Sequence, residues 1–318
     1  MPVGPARETV GSLVAAWVAG AEPTLRPRTH GGYQQIIRDN IEPRLGRIPL
    51  ARLQPHQVQL FYRDLLQSGR SAKTAGNVHG VLHCALDQAM RWRVVSTNVV
   101  DLVDPPRVTR REMSALDADQ ARQVLELATG DELEALWRLA LTAGMRQGEL
   151  GALRSPTVDL AHGTVHVVAS MVRRTGQAPA AAEPRTRRSR RQVELSQGAI
   201  ESLRRHRTTA MQAALAAGHS YDREGFVFAR PDGRSLSVAT LWKRWERLQR
   251  IAGIAHPVKF HDARHTAATL LLGQGVHPKV VIDMLGDSTV AITLDTYSHV
   301  TPTMHREAAR AMDSLFPH

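Results

Sequence analysis

Residues 260–272 read Phe260-His261-Asp262-Ala263-Arg264-His265-Thr266-Ala267-Ala268-Thr269-Leu270-Leu271-Leu272. Beyond the polar head the run is mostly apolar, the signature of a helix buried in a core. His261 and Arg264 stand three residues apart, so on a helix they share a face. A histidine and an arginine at the mouth of a buried helix are costly unless they meet a partner. The segment therefore predicts a polar site built into a helical core.

Around this segment, the same domain-sized region is mostly helical. Asp117 is a candidate N-cap for a helix through Leu127, and Glu132–Ala143 forms another that stops at Gly144. Helices follow over Gln197–Ala217, Val238–Ile251, Ala263–Leu272, Pro278–Leu285, and Val290 to about His299. Thr164–Val168 is β-branched and alternates weakly, and Gln192–Leu195 is its candidate return strand. Toward the N-terminus the pattern is helical from about Val10 to Val103. Val14, Trp17 and Val18 form one apolar face. Tyr33, Ile36 and Ile37 form a second, and Val58, Leu60, Phe61, Leu65 and Leu66 a third. Val78, Val81, Leu82, Ala85 and Ala89 make a fourth stripe, on a helix that starts near Ser71 and Thr74. Residues 104–114, DPPRVTRREMS, read as a linker, because two prolines discourage helix. The fold class is mainly α with a small β-sheet or hairpin, in two domains: 1–103, the 104–114 linker, and 115–318.

Composition narrows the function. The chain has 318 residues, 42% of them hydrophobic, enough to bury a real core. No stretch approaches the roughly 18 apolar residues of a membrane helix. The N-terminal MPVGPARETVGS has no apolar signal core. The single cysteine, Cys84, excludes an intrachain disulfide and a cysteine zinc cluster, and a cytoplasmic setting fits. The formal net charge is +11. Lys73, Lys243, Lys259 and Lys279 are the only lysines among 41 cations, and the rest are arginine. Arginine's planar fork grips phosphate with two hydrogen bonds, so a polyanion partner is expected. His261 and His265 share the spacing of a zinc-protease helix, with Asp262 in the glutamate position. Aspartate is a carbon shorter as a base and no third ligand is evident, so no metal is expected. His162 and His166 are also four apart, but on a strand that spacing carries little.

Two further segments interrupt apolar helical patterns with polar groups. In Leu141-Thr-Ala-Gly144-Met-Arg146-Gln-Gly-Glu149-Leu150, Gly144 permits a tight turn. Arg146 then falls at a helix start, where its cation and free backbone N–H groups can face an anion. In Met284-Leu-Gly286-Asp287-Ser-Thr-Val-Ala-Ile-Thr-Leu-Asp-Thr-Tyr297-Ser-His-Val300, Tyr297 closes an amphipathic turn between Thr296 and Ser298.

Taken in order, TAGMRQGEL, FHDARHTAATLLL and MLGDSTVAITLDTYSHV resemble the first-arginine, His-x-x-Arg and nucleophile segments of the tyrosine recombinase, or phage integrase, family. LRPRTHGGY, LQPHQVQLFYRDLL and GNVHGVLHCALDQAMRW look like its helical, SAM-like core-binding domain. The resemblance implies a core-binding domain joined to a mixed α/β catalytic domain. It also implies site-specific DNA recombination, the integration or excision of a mobile element, through a 3′-phosphotyrosyl intermediate. Tyr297 would be the nucleophile. Arg146 and Arg264 would clamp the non-bridging phosphate oxygens, and His261 would manage the tyrosine proton. Neither cofactor nor metal is implied.

Two positions depart from the family pattern. Arg185 stands where a hairpin lysine usually protonates the departing 5′ oxygen. Arginine stays protonated above pH ~12 and is a weak proton donor. Asp287 stands where histidine or tryptophan is usual, and a carboxylate repels phosphate. Lys259 is a conceivable substitute acid. Both departures leave open a decayed integrase that only binds DNA.

Double-stranded DNA is the expected partner, and the clamp around it would use exposed arginines. The candidates are Arg26, Arg28, Lys73, Arg91 and Arg93, with Arg187, Arg188, Arg190 and Arg191 beside Arg185 in the hairpin. Five cations within 185–191 repel one another unless a polyanion neutralises them. The C-terminal face of Ala308, Met312, Leu315 and Phe316 suits docking on its own domain or on a neighbouring copy. The family implies a homotetramer on two DNA sites, with an accessory DNA-bending or directionality protein as a further expectation. Because the core-binding pattern starts near residue 10, an N-terminal arm-binding domain is not expected within this sequence.

Overall fold

The structure is a computed structural model and describes residues 8–108, 114–172, 180–183 and 190–286. The described residues form two compact units, 8–108 and, separately, the remainder. The segments carrying Arg185, Arg187, Arg188, Asp287, Tyr297, the expected helix from Val290 and the C-terminal apolar face lie outside the described residues.

The first unit is helical because its apolar residues recur every three or four positions. Helix α1 (Val10–Ala21) buries Val10, Leu13, Val14, Trp17 and Val18, and Thr9 caps it by accepting from the Ser12 N–H at 3.2 Å. α2 (Pro27–Ile36) starts with proline at its first position, where the missing N–H costs nothing. It continues through a π turn at Ile37–Ile41 into α3 (Glu42–Leu45). α4 (Pro55–Gln67) and α5 (Ala72–Arg91) complete the unit, and the Ser71 hydroxyl caps α5 by accepting from the Thr74 N–H at 3.1 Å. The expected stripe of Val78, Val81, Leu82, Ala85 and Ala89 is buried. Leu60 and Leu66, expected on the buried face of α4, are instead exposed. Tyr62, which the apolar pattern passed over, is buried and hydrogen-bonds His79 Nδ1 at 3.0 Å.

The second unit wraps helices around a small sheet. α6 (Ala118–Leu127) is capped by Asp117, which accepts from Gln120 N–H at 2.8 Å. α7 (Glu134–Thr142) begins two residues later than expected, because Asp131 accepts from the Leu133 N–H at 2.7 Å and holds a turn there. α8 (Gln147–Ala152) is short. Strands β1 (Val158–Asp159), β2 (Thr164–Val167) and β5 (Arg191–Glu194) form an antiparallel sheet in the order β1-β2-β5, with Val165 opposite Val193. Between β2 and β5 lies a separate antiparallel ribbon of β3 (Ser170–Val172) and β4 (Ala180–Ala182). The expected single hairpin is thus a sheet plus a ribbon.

Helices α9 (Gln197–Ala216), α10 (Val238–Ile251), α11 (Ala263–Gly273) and α12 (Pro278–Leu285) close the unit. Its core joins Leu136, Leu139, Val165, Val193, Trp245 and Phe260. Glu134 is buried and anchors α7 to α9 through Arg205 at 2.6 Å, with Arg138 and the Gly130 N–H on the same carboxylate. No helix among the described residues is long and apolar enough to cross a membrane.

Candidate active site

The site begins with what holds residue 261 in place. Phe260 packs edge-on against Trp137 and Trp245, with ring centroids 5.4 and 5.6 Å away. Burying such a ring contributes roughly 2–3 kcal/mol. Gln249, fully buried, clamps the Val258 peptide from both sides: it accepts from the N–H at 2.8 Å and donates to the carbonyl at 3.0 Å. The Trp245 indole donates to the same carbonyl at 2.8 Å. The chain that presents His261 and Arg264 therefore leaves a rigid anchor.

His261 lies in a single 3-10 turn, Phe260–Asp262, that precedes α11. It is exposed, whereas Arg264 is 5% exposed. The expectation that the two share one helix face is corrected accordingly: they flank a helix start. Arg264 Nη1 donates to the Gly144 carbonyl at 2.9 Å, so α11 reaches the turn that carries Arg146. A guanidinium in the first turn of a helix sits at the positive end of the helix dipole.

Gly144 is required twice over. Its φ of +59° favours glycine, and a Cβ added there would collide with Leu285 Cδ2. The turn consequently packs against α12 and delivers Arg146 to the head of α8. Arg146 Nη1 donates to Glu149 Oε1 at 2.9 Å, and its backbone N–H donates to Glu149 Oε2 at 2.9 Å. That N–H was expected to be free for an anion; Glu149 occupies it instead, as the third residue of a helix often does. Arg146 Nη2 also approaches the Gly286 carbonyl at 3.4 Å.

Glu149 and Arg191 emerge as a pair that sequence reasoning did not single out. Arg191 donates from Nη1 to Glu149 Oε1 at 3.1 Å and from Nη2 to Oε2 at 2.9 Å, and from Nε to the Met284 carbonyl at 2.6 Å. Its side chain is 6% exposed. Arg191 was expected to contact DNA phosphate with its neighbours, yet its side chain is turned inward onto a buried carboxylate. Burial alone would raise the Glu149 carboxyl, but hydrogen bonds and charge from Arg191, together with those from Arg146, hold it below the usual carboxylate range. Strand parity carried the signal. On β5 residues alternate between faces, so Arg191 shares the inward side of Val193.

The other candidates divide between exposed positions and undescribed ones. Arg26, Arg28, Lys73, Arg91, Arg93 and Arg190 are exposed, with Arg190 paired to Glu183 at 2.7 Å. Arg185, Arg187, Arg188, Asp287 and Tyr297 lie outside the described residues. Lys259 is exposed and stands immediately before the turn that holds His261. The His261 and His265 rings stand perpendicular with centroids 6.1 Å apart. Among the described residues the one grouping with metal-ligand spacing is His83, Asp87 and Asp101, in the first unit. There each imidazole nitrogen already faces a carboxylate, at 3.5 and 2.9 Å.

A helical first unit joined to a mixed unit that gathers arginines from three elements defines a two-domain tyrosine recombinase architecture. Residues 114–304 match the phage integrase family model, and residues 9–66 match the N-terminal SAM-like domain of phage integrases. The chain belongs to the phage integrase family. A tyrosine recombinase XerC-like protein of Caldanaerobacter subterraneus subsp. tengcongensis is 27% identical, over 97% of this chain and 83% of the relative. The Tn1549 transposon integrase in complex with a circular intermediate DNA shares the fold at a TM-score of 0.80 and 21% identity, covering 96% of this chain and 99% of that one. A lambda integrase tetramer bound to a Holliday junction has a TM-score of 0.65 at 18% identity, covering 90% and 77%. The activity is site-specific DNA recombination, the cleavage and rejoining of DNA strands.

Proposed function

We propose that recombination proceeds through Tyr297, with Arg146, Arg264 and His261 arranged on the scissile phosphate. The Tyr297 oxygen attacks phosphorus, a 3′-phosphotyrosyl bond forms, and the bond to the 5′ oxygen breaks, that oxygen leaving as a hydroxyl with a proton from water or from Lys259. The phosphodiester energy is conserved in the new ester, so no nucleotide cofactor is consumed. His261 takes the phenol proton and returns it when the strand is rejoined. Arg146 and Arg264 meet the charge that builds on the non-bridging oxygens. A free tyrosine ionises near pH ~10, so it needs a cationic setting to react at neutral pH. The observation that carries this reading is the Arg264–Gly144 hydrogen bond, which joins two arginine segments 120 residues apart in sequence.

Arg185 would stand beside the departing 5′ oxygen and Asp287 beside the phosphate. These two identities favour a second reading, a protein that binds its sites but exchanges strands poorly. The exposed arginines and Lys73 would hold duplex DNA by phosphate contacts, in a cytoplasmic, nucleoid-associated setting, as a tetramer on two sites and with an accessory bending or directionality protein.

Strand exchange between two duplexes bearing the DNA that flanks the gene tests both readings. Wild type recombines them and Tyr297→Phe does not. If only Arg185→Lys combined with Asp287→His recombines them, the second reading holds.

A further inference from the structure

Arg191 has three described donor atoms in use, and all three point at the machinery rather than at solvent. Two grip Glu149 side by side, and the third grips the Met284 carbonyl at the end of α12. Glu149 in turn receives the guanidinium and the backbone N–H of Arg146. Each carboxylate oxygen thus accepts two hydrogen bonds. A carboxylate so filled is a brace, because its accepting positions are occupied and its charge is balanced from both sides. The sequence from Gly286 onward leads to Tyr297, and the Gly286 carbonyl is itself within reach of Arg146.

We infer that Arg191 is a positioning residue: through Glu149 it fixes the orientation of Arg146, and through Met284 it ties that orientation to the chain entering the Tyr297 segment. The inference rests on the recombinase reading above. Arg191 starts β5, directly after the arginine-rich stretch that contains Arg185. One side chain therefore links three parts of the site: the hairpin strand, the phosphate-clamping arginine and the route to the nucleophile. Its side chain is buried, whereas that of its neighbour Arg190 is exposed and open to a phosphate contact. Lysine in its place would keep the charge but lose the paired grip on Glu149.

Single-turnover adduct formation on nicked duplexes carrying the DNA that flanks the gene separates this role from its rivals. Wild type, Arg191→Ala and Arg191→Lys are compared at saturating DNA, with affinity and its salt dependence measured in parallel. Arg190→Ala is the comparator for a phosphate contact, expected to weaken binding and flatten the salt dependence. For Arg191→Ala the rate constant should fall about 10- to 100-fold, the scale set by misplacing a reacting group. Affinity and salt slope should stay within about twofold of wild type, and Arg191→Lys should recover part of the rate. Weaker binding with an unchanged rate constant at saturation would make Arg191 a DNA contact and overturn the inference. A smaller amplitude with an unchanged rate constant would make it a stabilising residue only, and also overturn it. No adduct from wild type is a different failure: it removes the recombinase reading, and this inference with it.

Discussion

At the scale of single residues, Glu149 and Gly144 carry the sharpest consequences. Glu149 is 4% exposed and faces two arginines. Glu149→Gln leaves those guanidiniums without their counter-charge, so stability should fall by about 3 kcal/mol or more in a denaturant titration. Because its folded pKa is depressed, Glu149 contributes stability above the unfolded glutamate value of about 4.3, and that contribution disappears as pH falls through the folded value. Wild-type stability should therefore decline progressively as pH falls from the unfolded value through the folded one, and Glu149→Gln should lose this part of the acid dependence. Gly144→Ala meets both a left-handed backbone and the Leu285 side chain. It should cost about 2 kcal/mol, read as a lower thermal midpoint. The sequence made Gly144, Arg146, His261 and Arg264 legible, because polar residues in an apolar helical pattern have few structural uses. Arg191 was legible only as one more phosphate contact, since a run of crowded arginines reads as a polyanion grip until strand parity decides which of them turns inward.

At the scale of elements, most helices were readable from apolar spacing and caps, as Asp117 and Ser71 show. The misses share a cause in local chemistry that competes with periodicity. Asp131 turns the chain and delays α7, and the β3–β4 ribbon rises from an alanine-rich stretch with no alternation to reveal it. The end of α5 supplies a test. Arg93 takes a φ of +60°, its N–H donating to Met90 and that of Val94 to Ala89, the paired bonds of a glycine-type helix stop. Arg93→Gly should raise stability by about 0.5–1 kcal/mol in chemical denaturation. If Arg93 also meets phosphate, as proposed, the same variant should lower the salt slope of DNA binding by about one contact. The two readouts move independently, so each role is checked on its own.

Across the whole molecule, the net charge of +11 suits a polyanion partner, and the buried apolar residues of the described chain fall into three clusters, one in the first unit and two in the second. Among the described residues, Val14, Leu82 and Ala85 are buried in the first unit, Leu136, Val165 and Trp245 in the main cluster of the second, and Leu272, Val281 and Leu285 in its smaller one. A fragment spanning residues 8–108 should fold alone, giving a cooperative thermal transition and a dispersed amide spectrum. Two-domain organisation was legible because the proline-containing 104–114 segment interrupts both patterns. The second unit brings Arg146 and Arg264 together around one turn although sequence separates them widely. The role proposed for this arrangement is covalent catalysis by Tyr297. The most direct measurement is a denaturing gel of wild type incubated with nicked duplexes from the DNA flanking the gene, followed by mass spectrometry of the DNA-linked peptide. Wild type should give a covalent adduct mapping to Tyr297 that is absent in Tyr297→Phe. An adduct on another residue, or one that persists in Tyr297→Phe, would contradict it.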